Sequence, residues 1–372
     1  MKTEYFKVNF RLALKSKKNL VLMGLLFLFC IGFVFVVEAQ NIGDGTQQWE
    51  DYRQSVSANT DYFSASSLRK KSFKRTYDNL NAQTALLAQI ENGEVFNDPQ
   101  MFLKSSRQLL SKMIAGYKNH YQGAPTLAIA PEYQLRQQQA EYDALYQHHI
   151  PIVMNDKSSA TYSSYLLTLL GAFLFFFILF LSSDVWMVKL DHPTLLRDVP
   201  YRTHDEILSK IMINLGLVLI PLVVGLFAAY LFSGLRNGFS PLNYPKVFYF
   251  NRLLTLPLWG FVLVFLITVA VMTIFVTNLT LLLNQLTRNV YLTLFLGSLL
   301  YVLAYLPGQF LKWLLFLPSA YLNLSHLFDG TLAYETGQSG LNIVTGCLVL
   351  LLWAVVLRLL FVHLVDQRRL AR

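Results

Sequence analysis

Side-chain chemistry needs partners at set spacings, and few stretches of this sequence offer them. His120, His148 and His149 are its only histidine concentration, and no cysteine or carboxylate accompanies them at ligand spacing. No G-x-x-x-x-G-K-[ST] phosphate loop, G-x-S-x-G turn or H-E-x-x-H helix occurs. The chain is therefore expected to be no enzyme, to hold no metal or cofactor, and to hydrolyse no ATP itself. Cys30 and Cys347 both lie in apolar runs, so no disulfide is expected. One stretch could still do something specific: "LLRDVPYRTHDEILSK", which ends at Lys210. Leu195, Leu196 and Val199 can form an apolar tip with Arg197 and Arg202 at its rim, the composition of a protein docking contact.

The elements around that stretch are written for lipid. Of 372 residues, 54% are hydrophobic and only 14% charged, with mean hydropathy +0.40, which selects a polytopic all-α membrane protein. Crossing a hydrocarbon core of ~30 Å takes about 20 helical residues. Runs of that kind occur at 20–37, 162–181, 211–232, 253–283, 290–306 and 341–362, so six spans are expected. The first is read as a retained span and not a signal peptide, because its apolar run is long and "FVFVVEAQN" is a poor cleavage site.

Lys2, Lys7, Arg11, Lys15, Lys17 and Lys18 precede the first span, and Arg368, Arg369 and Arg372 follow the last, which predicts both termini in the cytoplasm of a multi-pass cell-membrane protein. Arg236, Lys246 and Arg252 would then lie outside, against the rule, but the reverse orientation violates it more. The net charge of +9 is thus a topology signal and implies no nucleic-acid partner. Tyr5, Phe6, Phe10 and Leu14 interleave with the basic residues, so 1–18 is expected to be a helix lying on the inner membrane surface. Arg358, near the inner end of the last span, is expected to snorkel to the interface.

Between the first two spans lies an insert, 38–161, expected to be an extracytoplasmic helical domain. Phe73, Tyr77, Leu80, Thr84 and Leu87 recur at helical spacing. Asp98 can cap a second helix with Pro99 in its first turn, continued by Leu103, Leu110, Ile114, Tyr117 and Tyr121; a third starts near Pro131 with Leu135, Tyr142 and Leu145. These stripes predict the core of a small bundle.

The cytoplasmic segment 182–210 then has a readable order: a short helix, a turn marked by Pro193 and Pro200, and a helix re-entering the membrane, with Thr203 and Glu206 as a capping box. Asp184, Leu195, Leu196, Pro200, Arg202 and Lys210 stand in that order, and the segment resembles the cytoplasmic loop of permease subunits of type V, ABC-2-like exporters. In "GQFLKWLLFLPSAYLNLSHLFDG" the apolar piece "FLKWLLFL" is too short to cross, so 307–340 is expected to be a re-entrant or interfacial outer segment, which that family also carries. Asp184 stands where many members have Glu, and the large insert departs from members with a short first loop. The resemblance implies that the loop couples to separate ATPase subunits, which would hold ATP and Mg, and that the chain pairs with a second permease, identical or related. The substrate would be an exported amphiphile: a peptide, lipid-like molecule or drug. Two other classes are a membrane-anchored sensor with the insert as receptor, and a lipid-modifying membrane enzyme; the latter would need clustered Asp, Glu or His at a membrane face.

Overall fold

A long apolar run in lipid can satisfy its backbone only by closing its own hydrogen bonds, and this chain does so repeatedly. The computed structural model describes residues 2–40, 45–153, 157–191, 203–306, 310 and 315–370. Helix accounts for 78% of the protein, and the only sheet among the described residues is one two-stranded hairpin. Five helices are long and apolar enough to cross a membrane: Lys17–Ala39, Ser159–Ser182, Thr203–Asn237, Leu258–Thr287 and Ile343–Asp366. The protein is thus a polytopic, all-α membrane protein in its architecture.

In chain order, α1 (Lys2–Lys15) is the expected N-terminal helix, and Ser16 separates it from α2 (Lys17–Ala39). The insert contains α3 (Gly45–Thr60), α4 (Lys71–Val95), α5 (Pro99–Tyr117) and α6 (Glu132–Gln147). Asp98 caps α5 as its position predicts, its Oδ1 accepting from Gln100 N and Met101 N at 3.0 Å. Leu80, Leu87, Leu110, Leu135 and Leu145 are buried together, so the predicted stripes are a core. A buried polar chain crosses it: the Tyr52 hydroxyl donates to Gln83 Oε1 (2.5 Å), Gln83 Nε2 to the Tyr121 hydroxyl (3.2 Å), and that hydroxyl to Met113 O (2.7 Å). Burial pushes the Tyr121 phenol up to about 12.

The bundle proper begins with α7 (Ser159–Ser182), the short α8 (Met187–Asp191) and α9 (Thr203–Asn237). Next come strands β1 (Pro245–Tyr249) and β2 (Leu253–Pro257), paired antiparallel with Lys246 opposite Leu256. The chain continues through α10 (Leu258–Thr287), α11 (Val290–Val302), a 3-10 turn (Leu303–Tyr305), α12 (Leu324–Asp329), α13 (Thr331–Thr336) and α14 (Ile343–Leu370).

Three expectations change. The apolar run at 253–283 does not start as a helix: its first five residues are strand β2, and α10 starts only at Leu258, where Pro257 closes the ladder and leads into the helix. The run at 290–306 gives thirteen α-helical residues and then a 3-10 turn. Thr84, expected on the buried stripe of its helix, is exposed.

Packing fixes the order of the bundle. The α2 residue Cys30 lies against Gly225 of α9, and its carbonyl accepts from the Tyr162 hydroxyl of α7 at 2.5 Å. Close approach at Gly171 lets α7 meet the Ser325 backbone of α12, where an added Cβ would stand 2.9 Å from a backbone nitrogen. Cys347 lies against Thr268, while Trp186 bonds to Gln285 and stacks edge-on with Phe361. The helices α10 and α14 therefore run in the same direction.

Candidate functional site

At one end of the bundle, here the N-terminal end, four elements meet: the start of α2, the end of α7 with α8, the start of α9 and the end of α10. Lys18 extends its ammonium to the Phe180 and Leu181 carbonyls at 3.2 Å, in the last turn of α7, and pairs with Asp184. Lys189 pairs with Glu206, which is only 5% exposed, and its ammonium also lies 4.4 Å from the centre of the Trp186 ring. Trp186 is buried, and its indole N–H donates to Gln285 Oε1 at 3.1 Å. Lys210, one turn after Glu206, has Glu206, Asp184 and Lys189 as its charged neighbours. Below this layer Asn214 donates to Ser182 Oγ and Thr277 Oγ1, both at 3.1 Å, tying α7, α9 and α10 together.

The arrangement knots the two stems of residues 192–202, one at Asp184–Lys189 and the other at Glu206–Lys210. Of the coupling residues expected from the sequence, Asp184 and Lys210 are brought into this one cluster. Leu195, Leu196, Arg197, Val199, Pro200 and Arg202 lie outside the described residues, as does most of "FLKWLLFL". Glu206 is engaged by Lys189 across the stems. Lys18, Lys189, Trp186 and Gln285 were not singled out by sequence. Lys18 served only as a topology charge, and the partners of Lys18 and Lys189 stand 166 and 17 residues away. Beyond Arg358 α14 continues about three turns, and the Arg358 Nη2 is buried with no hydrogen-bond partner among the described residues.

A second polar assembly stands at the opposite, insert end. The Tyr133 hydroxyl (2.5 Å) and Gln137 Nε2 (2.7 Å), both of α6, donate to one carbonyl, that of Asp329. Tyr133 stacks on Tyr334 with ring centres 4.7 Å apart. Gly330, at φ +79°, makes this possible, since a Cβ there would stand 2.2 Å from the Tyr133 hydroxyl and 2.5 Å from the Tyr249 ring. Burial pushes the Asp329 carboxyl above the usual range, against the donation it accepts from Thr331.

No family model, curated protein or solved structure matches this chain. Its function therefore rests on these two ends and on the charge pattern.

Proposed function

We propose that this protein is the permease subunit of an ATP-driven, ABC-2-like exporter for an amphipathic substrate, paired with a second permease and driven by separate ATPase subunits. The observation that carries the reading is the charge knot at the N-terminal end. It holds the stems of 192–202 on a buried base of Glu206, Trp186 and Asn214, as a segment that must transmit force from a partner requires. A passive loop needs no such base.

In this reading α2, α7, α9, α10, α11 and α14 cross the membrane, with both termini and 182–210 cytoplasmic and the insert outside. The shared direction of α10 and α14 supports a crossing between them, and among the described residues α11 with its 3-10 turn is the segment that could supply it. Thirteen α-helical residues reach about 20 Å, and the turn about 6 Å more, close to a thin hydrocarbon layer.

Co-purification tests the partner. The full chain should bring down a phosphate-loop ATPase, and Leu195→Ala with Leu196→Ala should lose it while membrane insertion is unchanged. Retention of the ATPase by that double variant would sink the coupling role. Topology is tested separately by impermeant thiol labelling in a cysteine-free background. Cysteines at the exposed positions Lys104 and Gln338 should react from outside, and one at exposed His204 should not.

A further inference from the structure

At the insert end one cation is weakly engaged by its described contacts. Lys246 of β1 directs its ammonium to the side of α7, reaching the Ser164 carbonyl and the Thr168 hydroxyl at 3.4 Å each. That is the long limit of a hydrogen bond, and the Ser164 carbonyl is shared, because it also accepts from the Thr168 hydroxyl at 3.0 Å. The Phe261 ring centre lies 6.0 Å away. An ammonium offers three donors, and two long contacts leave them poorly used. Among the described residues no carboxylate stands at ion-pair distance from Lys246. Glu141 of α6 and Asp329 at the end of α12 attract it through space, and His326 acts in turn on Asp329. Burial lowers the hold of Lys246 on its proton, the mark of a cation short of solvation.

The site is open on one side. Tyr165 and Thr168 are exposed on α7 while Leu166, Leu167 and Leu170 are buried. A helix face turned only to lipid is apolar, yet here a phenol, a hydroxyl and an ammonium share it. Trp259 and Phe250, exposed beside the hairpin, are aromatic residues at the start of a span, where the membrane boundary is expected.

We propose that Lys246, with the Thr168 hydroxyl beside it, binds the phosphate or carboxylate head of a single-tailed or lipid amphiphile whose chain lies along α7. The inference deepens the permease reading by giving the exported amphiphile, or the lipid that accompanies it, a negative charge at its head.

The test uses the full chain in phosphatidylcholine nanodiscs, with dodecyl phosphate as probe and dodecanol as its uncharged counterpart. Dodecyl phosphate should raise the unfolding temperature saturably and dodecanol should not. Lys246→Gln should weaken the apparent affinity by about ten-fold or more, the loss of one charge-assisted bond, while Lys246→Arg keeps most of it. Arg252→Gln, an exposed cation at the turn of the same hairpin, should leave it unchanged. Equal binding by Lys246→Gln, or an equal response to dodecanol, overturns the site. Should Lys246→Gln fail to fold, Thr168→Leu decides: loss of binding supports the site and full retention overturns it. Discs containing phosphatidylglycerol then identify the occupant. Competition assigns the site to membrane lipid, and undiminished binding of the probe assigns it to a free amphiphile; both keep the anion site. None of these readouts involves the ATPase, so loss of the permease reading and loss of this site are separately visible.

Discussion

Two joints, the loop stems at the N-terminal end and the seat of α6 at the insert end, are fastened by different chemistry; the Arg236–Glu38 ion pair, which joins α9 to α2 at the insert end, belongs to neither. At the N-terminal end the fastening is ionic: Lys18 with Asp184, and Lys189 with Glu206, beside Lys210. At the insert end α6 is fastened by neutral groups, a phenol and an amide on one carbonyl and two stacked rings. Partly exposed ion pairs weaken in salt and can be traded for pairs with another protein's charges, whereas neutral bonds hold one geometry in any ionic strength. The contrast says that the joint of the loop stems is the adjustable one and the α6 joint the fixed one.

The strongest way to break the contrast is Glu206→Ala. It leaves Lys189 facing a buried site without its partner and should cost about 3 kcal/mol, read as a lowered unfolding temperature. At the opposite end Gly330→Ala should come next, at about 2 kcal/mol, since it forces a Cβ into both the Tyr133 hydroxyl and the Tyr249 ring at positive φ. Proteolysis of the insert should speed up in that variant and not in Glu206→Ala. A milder cut is Tyr133→Phe, expected to cost about 1 kcal/mol with no dependence on salt, because Gln137 still satisfies the Asp329 carbonyl. Smallest of all, Asp184→Asn should cost about 0.5 kcal/mol at low salt and nothing measurable at high salt, as both partners are a third or more exposed.

Acidity sharpens the same contrast. Asp329 binds its proton more tightly folded than unfolded, so the stability of the insert-end joint is highest below its unfolded value and falls as pH rises through the folded one. Asp329→Asn should remove that slope from a pH series of unfolding temperatures. Within the insert, the raised Tyr121 phenol predicts a further loss between about 10, the unfolded value, and about 12.

Much of this architecture was legible in sequence because apolar runs and 3.6-residue stripes are local signals. The helices α4, α5 and α6 follow from residues such as Leu80, Asp98 and Leu135. Helix α3 did not stand out, since "GTQQWEDYRQSVSANT" offers few apolar positions; among its described side chains Trp49, Tyr52 and Val56 are buried together with the polar Asn59. Strand β2 hid inside an apolar run because Leu253, Leu254 and Leu256 read equally well as helix; its identity comes from pairing with β1. The candidate site was half visible. Asp184 and Lys210 were marked by their order along the chain, but the Lys18 partner and the Trp186–Gln285 bond join segments far apart in sequence, which no local pattern encodes.

Helix α7 touches both ends. Near its middle Gly171 rests on the backbone of α12, whose last residue is the Asp329 that α6 grips, and its final turn hands over to Asp184. At 1.5 Å per residue its 24 residues form a rod of about 36 Å. A rigid rod pivoted near its middle carries a tilt of the outer helices to its inner tip as an opposite swing of about equal size. The mechanical advantage is set by where one glycine sits.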